Sequence, residues 1–187
     1  MTTRPADPGR LLCVGGAPGA GKTTVGALVA GGRRAALVDL DSVSTPLVEA
    51  VAAGLGVAAD LDAPRFAALR DARYACLAAV LADCLRAGVD AVAVAPFTRE
   101  AADGSAWRSW GLGLGARSVT TCWLDVDPAT AAARTAARAA ARDLAKGAPA
   151  PPPAPPVDRA GLDLVLDTAA EVPGGLAARI LSSWPGR

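Results

Sequence analysis

The chain has 187 residues, 52% of them hydrophobic and 20% charged, which is the size of one compact domain able to bury its own core. Nineteen Lys and Arg against 18 Asp and Glu leave a formal net charge of +1, so no overall electrostatic footprint marks a nucleic-acid or anionic-membrane partner. Histidine is absent, as are asparagine and glutamine, which excludes imidazole bases, Ser-His-Asp triads, histidine metal ligands, N-glycosylation and a glutamine-positioned water.

Met1 to Arg10 is polar and carries Pro5 and Pro8, and no later apolar run is long enough to span a membrane, so a cytoplasmic protein is expected. Cys13, Cys76, Cys84 and Cys122 stand singly among apolar neighbours and read as reduced core residues. Leu11 to Gly15 is the first expected strand. It runs into Gly16-Ala17-Pro18-Gly19-Ala20-Gly21-Lys22-Thr23-Thr24, which fits G-x-x-x-x-G-K-[ST] between a strand and a helix. Glycines let successive N–H groups turn toward the β-phosphate of ATP, and the helix start adds its positive dipole end. Lys22 is suited to the β- and γ-phosphates and the Thr23 hydroxyl to Mg²⁺. Lys22 is one of only two lysines, the other being Lys146.

Ala35 to Leu40 is the second expected strand, and it ends in Leu37-Val38-Asp39-Leu40-Asp41-Ser42. Period two places both carboxylates on one side of the chain, facing the phosphate loop from a strand's carboxyl end. One can hold Mg²⁺ through a water while the other accepts the proton of a hydroxyl attacking the γ-phosphate. Either one alone could instead cap a helix expected after Pro46. A helix follows from about Ala63 to Ala87, with an apolar stripe of Phe66, Leu69, Leu77, Val80, Leu81, Cys84 and Leu85. Arg70 and Arg73 intrude on that stripe, and a buried guanidinium needs an anion. That anion is Asp39 or Asp41, or else a carboxylate or phosphate on a bound acceptor.

Val89 to Ala95, the third strand, ends in Pro96 where many phosphate-loop proteins carry an acid, and the nearest acid is Glu100. Phe97, Thr98 and Arg99 at this strand end are candidate acceptor contacts or a plain loop. Val119 to Leu124 is the fourth strand. Beyond it Arg134, Arg138, Arg142 and Lys146 recur every four residues along an alanine-rich helix, which suits a mobile lid closing a cationic stripe over nucleotide phosphates. A solvated Arg/Ala face is the other reading. Ala148 to Pro156 reads as a polyproline hinge or lid tip, and Leu162 to Leu166 as the fifth strand. Apolar strands alternating with helices give a doubly wound α/β domain over residues 1–187, with a parallel five-stranded sheet flanked by helices and a lid over about 128–156.

The phosphate loop with Asp39-Leu40-Asp41-Ser42-Val43 resembles the small-molecule kinases of the P-loop class, a nucleoside-monophosphate-kinase-like group that includes chloramphenicol phosphotransferase, shikimate kinase, gluconate kinase, adenylylsulfate kinase and the zeta toxins. In the first of these the aspartate just before the serine is the catalytic base, which the resemblance places on Asp41. The Asp-x-Asp of shikimate kinase assigns Asp39 to the Mg²⁺ shell and Asp41 to substrate, and that enzyme's substrate arginines suggest an acceptor carboxylate or phosphate as one of the two candidate anions for Arg70 and Arg73. Arg142-Asp143-x-x-Lys146 is similar to the family's lid region, which implies phosphate contacts for Arg134, Arg138 and Arg142. Asp39 is preferred over Glu100 for the missing acid because the second strand adjoins the first in this family. The chain as a whole resembles bacterial AAA-type P-loop ATPases. The expectation is an ATP- and Mg²⁺-dependent transfer to a small-molecule hydroxyl by a monomer or homodimer, with an ATPase or nucleotide switch acting through a protein partner as the alternative. A nucleic-acid end kinase is disfavoured by the charge and by only 4% aromatics.

Overall fold

Five short apolar runs build one parallel sheet. The computed structural model describes residues 7–57, 67–142 and 156–185. In it β1 (Leu11–Gly16), β2 (Ala36–Asp39), β3 (Ala91–Val94), β4 (Val119–Asp125) and β5 (Leu164–Asp167) lie in the order β2-β3-β1-β4-β5, with each neighbouring pair parallel. The chain passes between them through α1 (Lys22–Arg33), α2 (Leu40–Gly54), α3 (Ala67–Arg86), α4 (Gly104–Gly113) and α5 (Pro128–Arg142), and ends in α6 (Pro173–Ser183).

Strand alternation sorts the core into two layers. Leu11, Cys13, Ala91 and Ala93 face Leu77, Leu81 and Leu85 of α3 and Trp107 of α4. Leu12, Val14, Val92 and Val94 face Val25 and Val29 of α1 and Leu176 and Ile180 of α6. Burial on both faces holds for β1, β3 and β4 and fails at the edges, where Leu37 of β2 is 41% exposed and β5 is only partly covered. An edge strand has no neighbour on one side, so its outer residues see solvent. The expected stripe of α3 is met at Leu77, Leu81 and Leu85, whereas Val80 is exposed and Phe66 lies outside the described residues. Cys13 and Cys122 are core residues as expected, but Cys76 is exposed on α3.

Two differences from the sequence reading matter for the site. The second strand does not adjoin the first, because β3 lies between β2 and β1. The helix expected after Pro46 begins at Leu40, six residues before Pro46, and contains that proline. Asp39 causes the early start: its backbone is extended, and its side chain accepts the Asp41 N–H, capping the first turn.

Candidate functional site

The carboxyl ends of the strands open into a cleft of about 950 Å³, lined by the loop from Pro18 to Thr24, by Asp39 and Asp41, by Val94 to Pro96 at the end of β3, and by α5 and the β5–α6 loop. This is where ligands bind in open parallel sheets. The loop takes its shape from glycine. Gly19 (φ 84°) and Gly21 (φ 83°) are left-handed, and a Cβ on Gly19 would lie 2.5 Å from the Ala131 carbonyl of α5. Gly21 caps α1 without any side chain over the helix amides, leaving the N-terminus open to an anion. Lys22 Nζ donates to the carbonyls of Gly16 (2.8 Å) and Ala17 (2.9 Å), so the ammonium is held across the loop.

Thr23 Oγ1 donates to Asp39 Oδ2 at 2.8 Å, and Asp39 Oδ1 accepts the Asp41 N–H at 2.9 Å. One buried carboxylate therefore joins the phosphate loop to the start of α2. Because Asp41 sits in a helical turn, the two carboxylates are not aligned by strand periodicity as expected; the cap brings them together instead. Asp41 is 78% exposed at its side chain and accepts from Arg73 Nη2 at 2.6 Å. Arg73 Nε donates to Ser44 Oγ at 2.8 Å, which in turn donates to the Leu40 carbonyl. Of the anions considered for Arg73, the structure supplies Asp41. Arg70 lies over the Tyr74 ring, 3.8 Å from Glu100 and 3.7 Å from Asp71, and Arg99 pairs with Asp71.

At the opposite end Arg134 donates to Thr168 Oγ1 (2.9 Å) and to the Thr168 carbonyl (2.8 Å), and it also reaches the Gly19 carbonyl at 3.5 Å. It thus ties α5 to the loop and to the end of β5 and lines the cleft, rather than forming part of a solvated face. The side chains of Arg138 and Arg142, together with Lys146 and residues 148–155 of the expected lid tip, lie outside what the structure describes. Phe97 corrects the expectation of an acceptor contact. It is fully buried among Tyr74, Trp107 and Trp110, with its φ of 49° held by a hydrogen bond from its N–H to the Tyr74 hydroxyl. Arg99 and Glu100 do not line the cleft.

Burial decides the thiols and the phenol around this centre. It pushes the Cys13 thiol far above its ordinary value and the Cys122 thiol up to about 12, so neither is a nucleophile. Burial and the neighbouring Glu100 raise Tyr74 to about 12, which keeps its hydroxyl protonated.

Residues 11–151 match the family described as an AAA domain. The chain belongs to the AAA domain family. No curated protein matches it. Among solved structures, this AAA domain superposes on the Mycobacterium tuberculosis APS kinase in complex with AMPPNP and APS with a TM-score of 0.65 at 18% identity, covering 94% of this chain and 97% of that one. The gluconokinase from Sinorhizobium meliloti follows at 0.60 and 16%, covering 95% and 92%. The shikimate kinase from Acinetobacter baumannii, in complex with shikimate, gives 0.56 at 16%, covering 94% and 93%. The fold is that of a P-loop NTPase of the kinase-like kind, and its structural neighbours are small-molecule kinases. Among the described residues of this AAA domain no helix is long and apolar enough to cross a membrane.

Sequence reasoning did not single out Ser44, Tyr74, Thr168 or Glu171. Thr168 and Glu171 follow β5 directly, so the rule that parallel strands present ligands at their carboxyl ends was a usable signal for them. Nothing in the spacing of Ser44 and Tyr74 announces their partners, which come from another helix and from the loop after β3.

Proposed function

We propose that this AAA domain is an ATP-dependent phosphotransferase that moves the γ-phosphate to a hydroxyl of a small molecule. The observation that carries the reading is the chain of contacts Thr23–Asp39–Asp41, which ties two cleft-lining carboxylates to the phosphate loop through one hydroxyl and one backbone N–H. The open start of α1 and the Lys22 ammonium receive the β- and γ-phosphates, Lys22 exchanging its loop carbonyls for phosphate oxygens.

The residues fit Mg²⁺. A threonine hydroxyl and a carboxylate are hard oxygen donors, and Mg²⁺ is typically held by one or two carboxylates plus substrate phosphates. Thr23 and Asp39 would hold it, and neutralisation of charge on the β- and γ-phosphate oxygens is the chemistry it supplies there. Asp41 then takes the acceptor proton. The acceptor oxygen forms a bond to the γ-phosphorus, the bond from that phosphorus to the bridging oxygen breaks, ADP leaves with the electron pair, and the hydroxyl proton passes to the Asp41 carboxylate. Arg134, anchored on Thr168 and Gly19, keeps α5 against the loop during this exchange.

The test is a screen of a small-molecule extract with γ-labelled ATP, using Lys22→Ala as the control. Label transferred to a small molecule by the wild-type protein and not by the variant supports the reading. ATP hydrolysis without transfer, across extracts from several growth conditions, would replace it with the partner-coupled ATPase.

A further inference from the structure

We infer that the hydroxyl acceptor carries no anionic group: it is an alcohol without carboxylate, phosphate or sulfate. This rests on the phosphotransferase reading and names the acceptor class of the same site. An acceptor delivering its hydroxyl to Asp41 must lie at the end of the cleft formed by Asp39, Asp41 and the Ala95-Pro96 turn after β3. Recognition of an anion there needs a cation able to face it. The described residues near that end supply Arg70, Arg73 and Arg99, and none of the three lines the cleft.

Each of them is already committed to a neighbour. Arg73 is only 14% exposed at its side chain and is held on two edges, with Nη2 on Asp41 and Nε on Ser44. Drawing it onto an acceptor anion would exchange one ion pair for another and strip Asp41 of its partner, so the net gain is small. Arg70 is sandwiched between the Tyr74 ring and Glu100, whose buried Oε2 would repel any anion brought to the guanidinium. Arg99 turns outward to Asp71.

Among the described residues around this end, four carboxylates (Asp39, Asp41, Asp71 and Glu100) therefore outnumber the three guanidinium groups. The γ-phosphate adds further negative charge to the same space when ATP is bound. Like-charge juxtaposition of this kind is a strong element of selectivity. What remains for the acceptor is the exposed Asp41 oxygen, a hydrogen-bond acceptor suited to a hydroxyl, beside the apolar wall of Ala95 and Pro96.

The experiment follows the arginine side-chain Nε–Hε signals by NMR in protein saturated with Mg-AMPPNP, whose binding is checked first by calorimetry. The probes are glycerol 3-phosphate, gluconate and sulfate, each against glycerol and sorbitol. The wild-type Arg73 and Arg70 signals are expected to stay in place with the anions, while Asp41→Ala, which removes the acceptor of Arg73 Nη2, acquires a saturable anion-dependent shift. A saturable shift of Arg73 or Arg70 in the wild-type protein overturns the inference. A parallel transfer assay with matched neutral and anionic alcohols should favour the neutral member by about tenfold or more in kcat/KM, and preference for the anionic member overturns it as well. Failure to bind Mg-AMPPNP, or to transfer phosphate to any alcohol, counts against the phosphotransferase reading itself and is seen separately from the arginine response.

Discussion

The two ends of the cleft are built from different material. Around the phosphate loop the working groups are backbone amides and carbonyls, shaped by glycines and a helix start, with Lys22 and Arg134 fastened to carbonyl oxygens. Around Asp41 they are side chains from separate elements, fastened mainly to one another through Arg73, Ser44, Arg70 and Glu100. A backbone-made end changes little when a side chain is altered unless a glycine or one of these two cations is lost. A side-chain-made end can be retuned residue by residue, which would suit the acceptor end of the proposed phosphotransferase.

Substitutions can break this contrast. The largest effect is expected from Asp41→Asn, which keeps size and hydrogen bonding but removes the proton acceptor. Transfer should fall by roughly two to four orders of magnitude with Mg-ATP affinity little changed, measured by steady-state kinetics and calorimetry. A wild-type rate would remove Asp41 from the chemistry. Lys22→Ala should cost about two to three orders of magnitude in kcat/KM for ATP, since it deletes the one lysine of the phosphate loop; unchanged binding and turnover would sink the nucleotide assignment.

Asp39→Asn tests the joint between the two ends. It should raise the Mg²⁺ concentration for half-maximal activity by about tenfold or more, while a capping oxygen is retained for α2. Gly19→Ala should destabilise the fold by about 1–3 kcal/mol in denaturant melts, because φ is 84° and the new Cβ meets the Ala131 carbonyl. The smallest effect lies away from the cleft, at Asp163. Burial alone would raise this carboxyl, but hydrogen bonds from Arg108, the Thr121 N–H and the Thr121 hydroxyl outweigh it and hold it below its ordinary value of 3.8. The native pair therefore stabilises the fold above that value and loses its contribution as pH falls through the lower native value. The stability gap between wild type and Asp163→Asn should be present at neutral pH and close in acid, in thermal melts at low salt.

The same division explains what could be read from the sequence. The phosphate loop and the strands were legible because glycine spacing and continuous apolar runs are local signals, and the five strands lie where their apolar runs placed them, to within two residues at every end. The order of the strands was not legible, so β3 rather than β2 stands beside β1, and yet Asp39 reaches Thr23 past the end of β3. Arg73 was visible as a cation on a burying face, but its partner depended on α2 starting at Leu40, a matter of one cap. Phe97 looked accessible because it follows a strand end. Three aromatic neighbours and a left-handed backbone turn it into the core, and none of those neighbours is near it in sequence.

Asp39 divides its two oxygens, Oδ2 to the phosphate-loop hydroxyl and Oδ1 to the backbone of the residue two positions on. The separation between the Thr23 hydroxyl and Asp41 is therefore set by a carboxylate and two peptide units. On the proposed phosphotransferase reading, occupancy on one side of Asp39 would be felt on the other as a change in free energy. Linkage makes the exchange symmetric: whatever factor bound Mg-ATP applies to acceptor affinity, the acceptor returns to Mg-ATP.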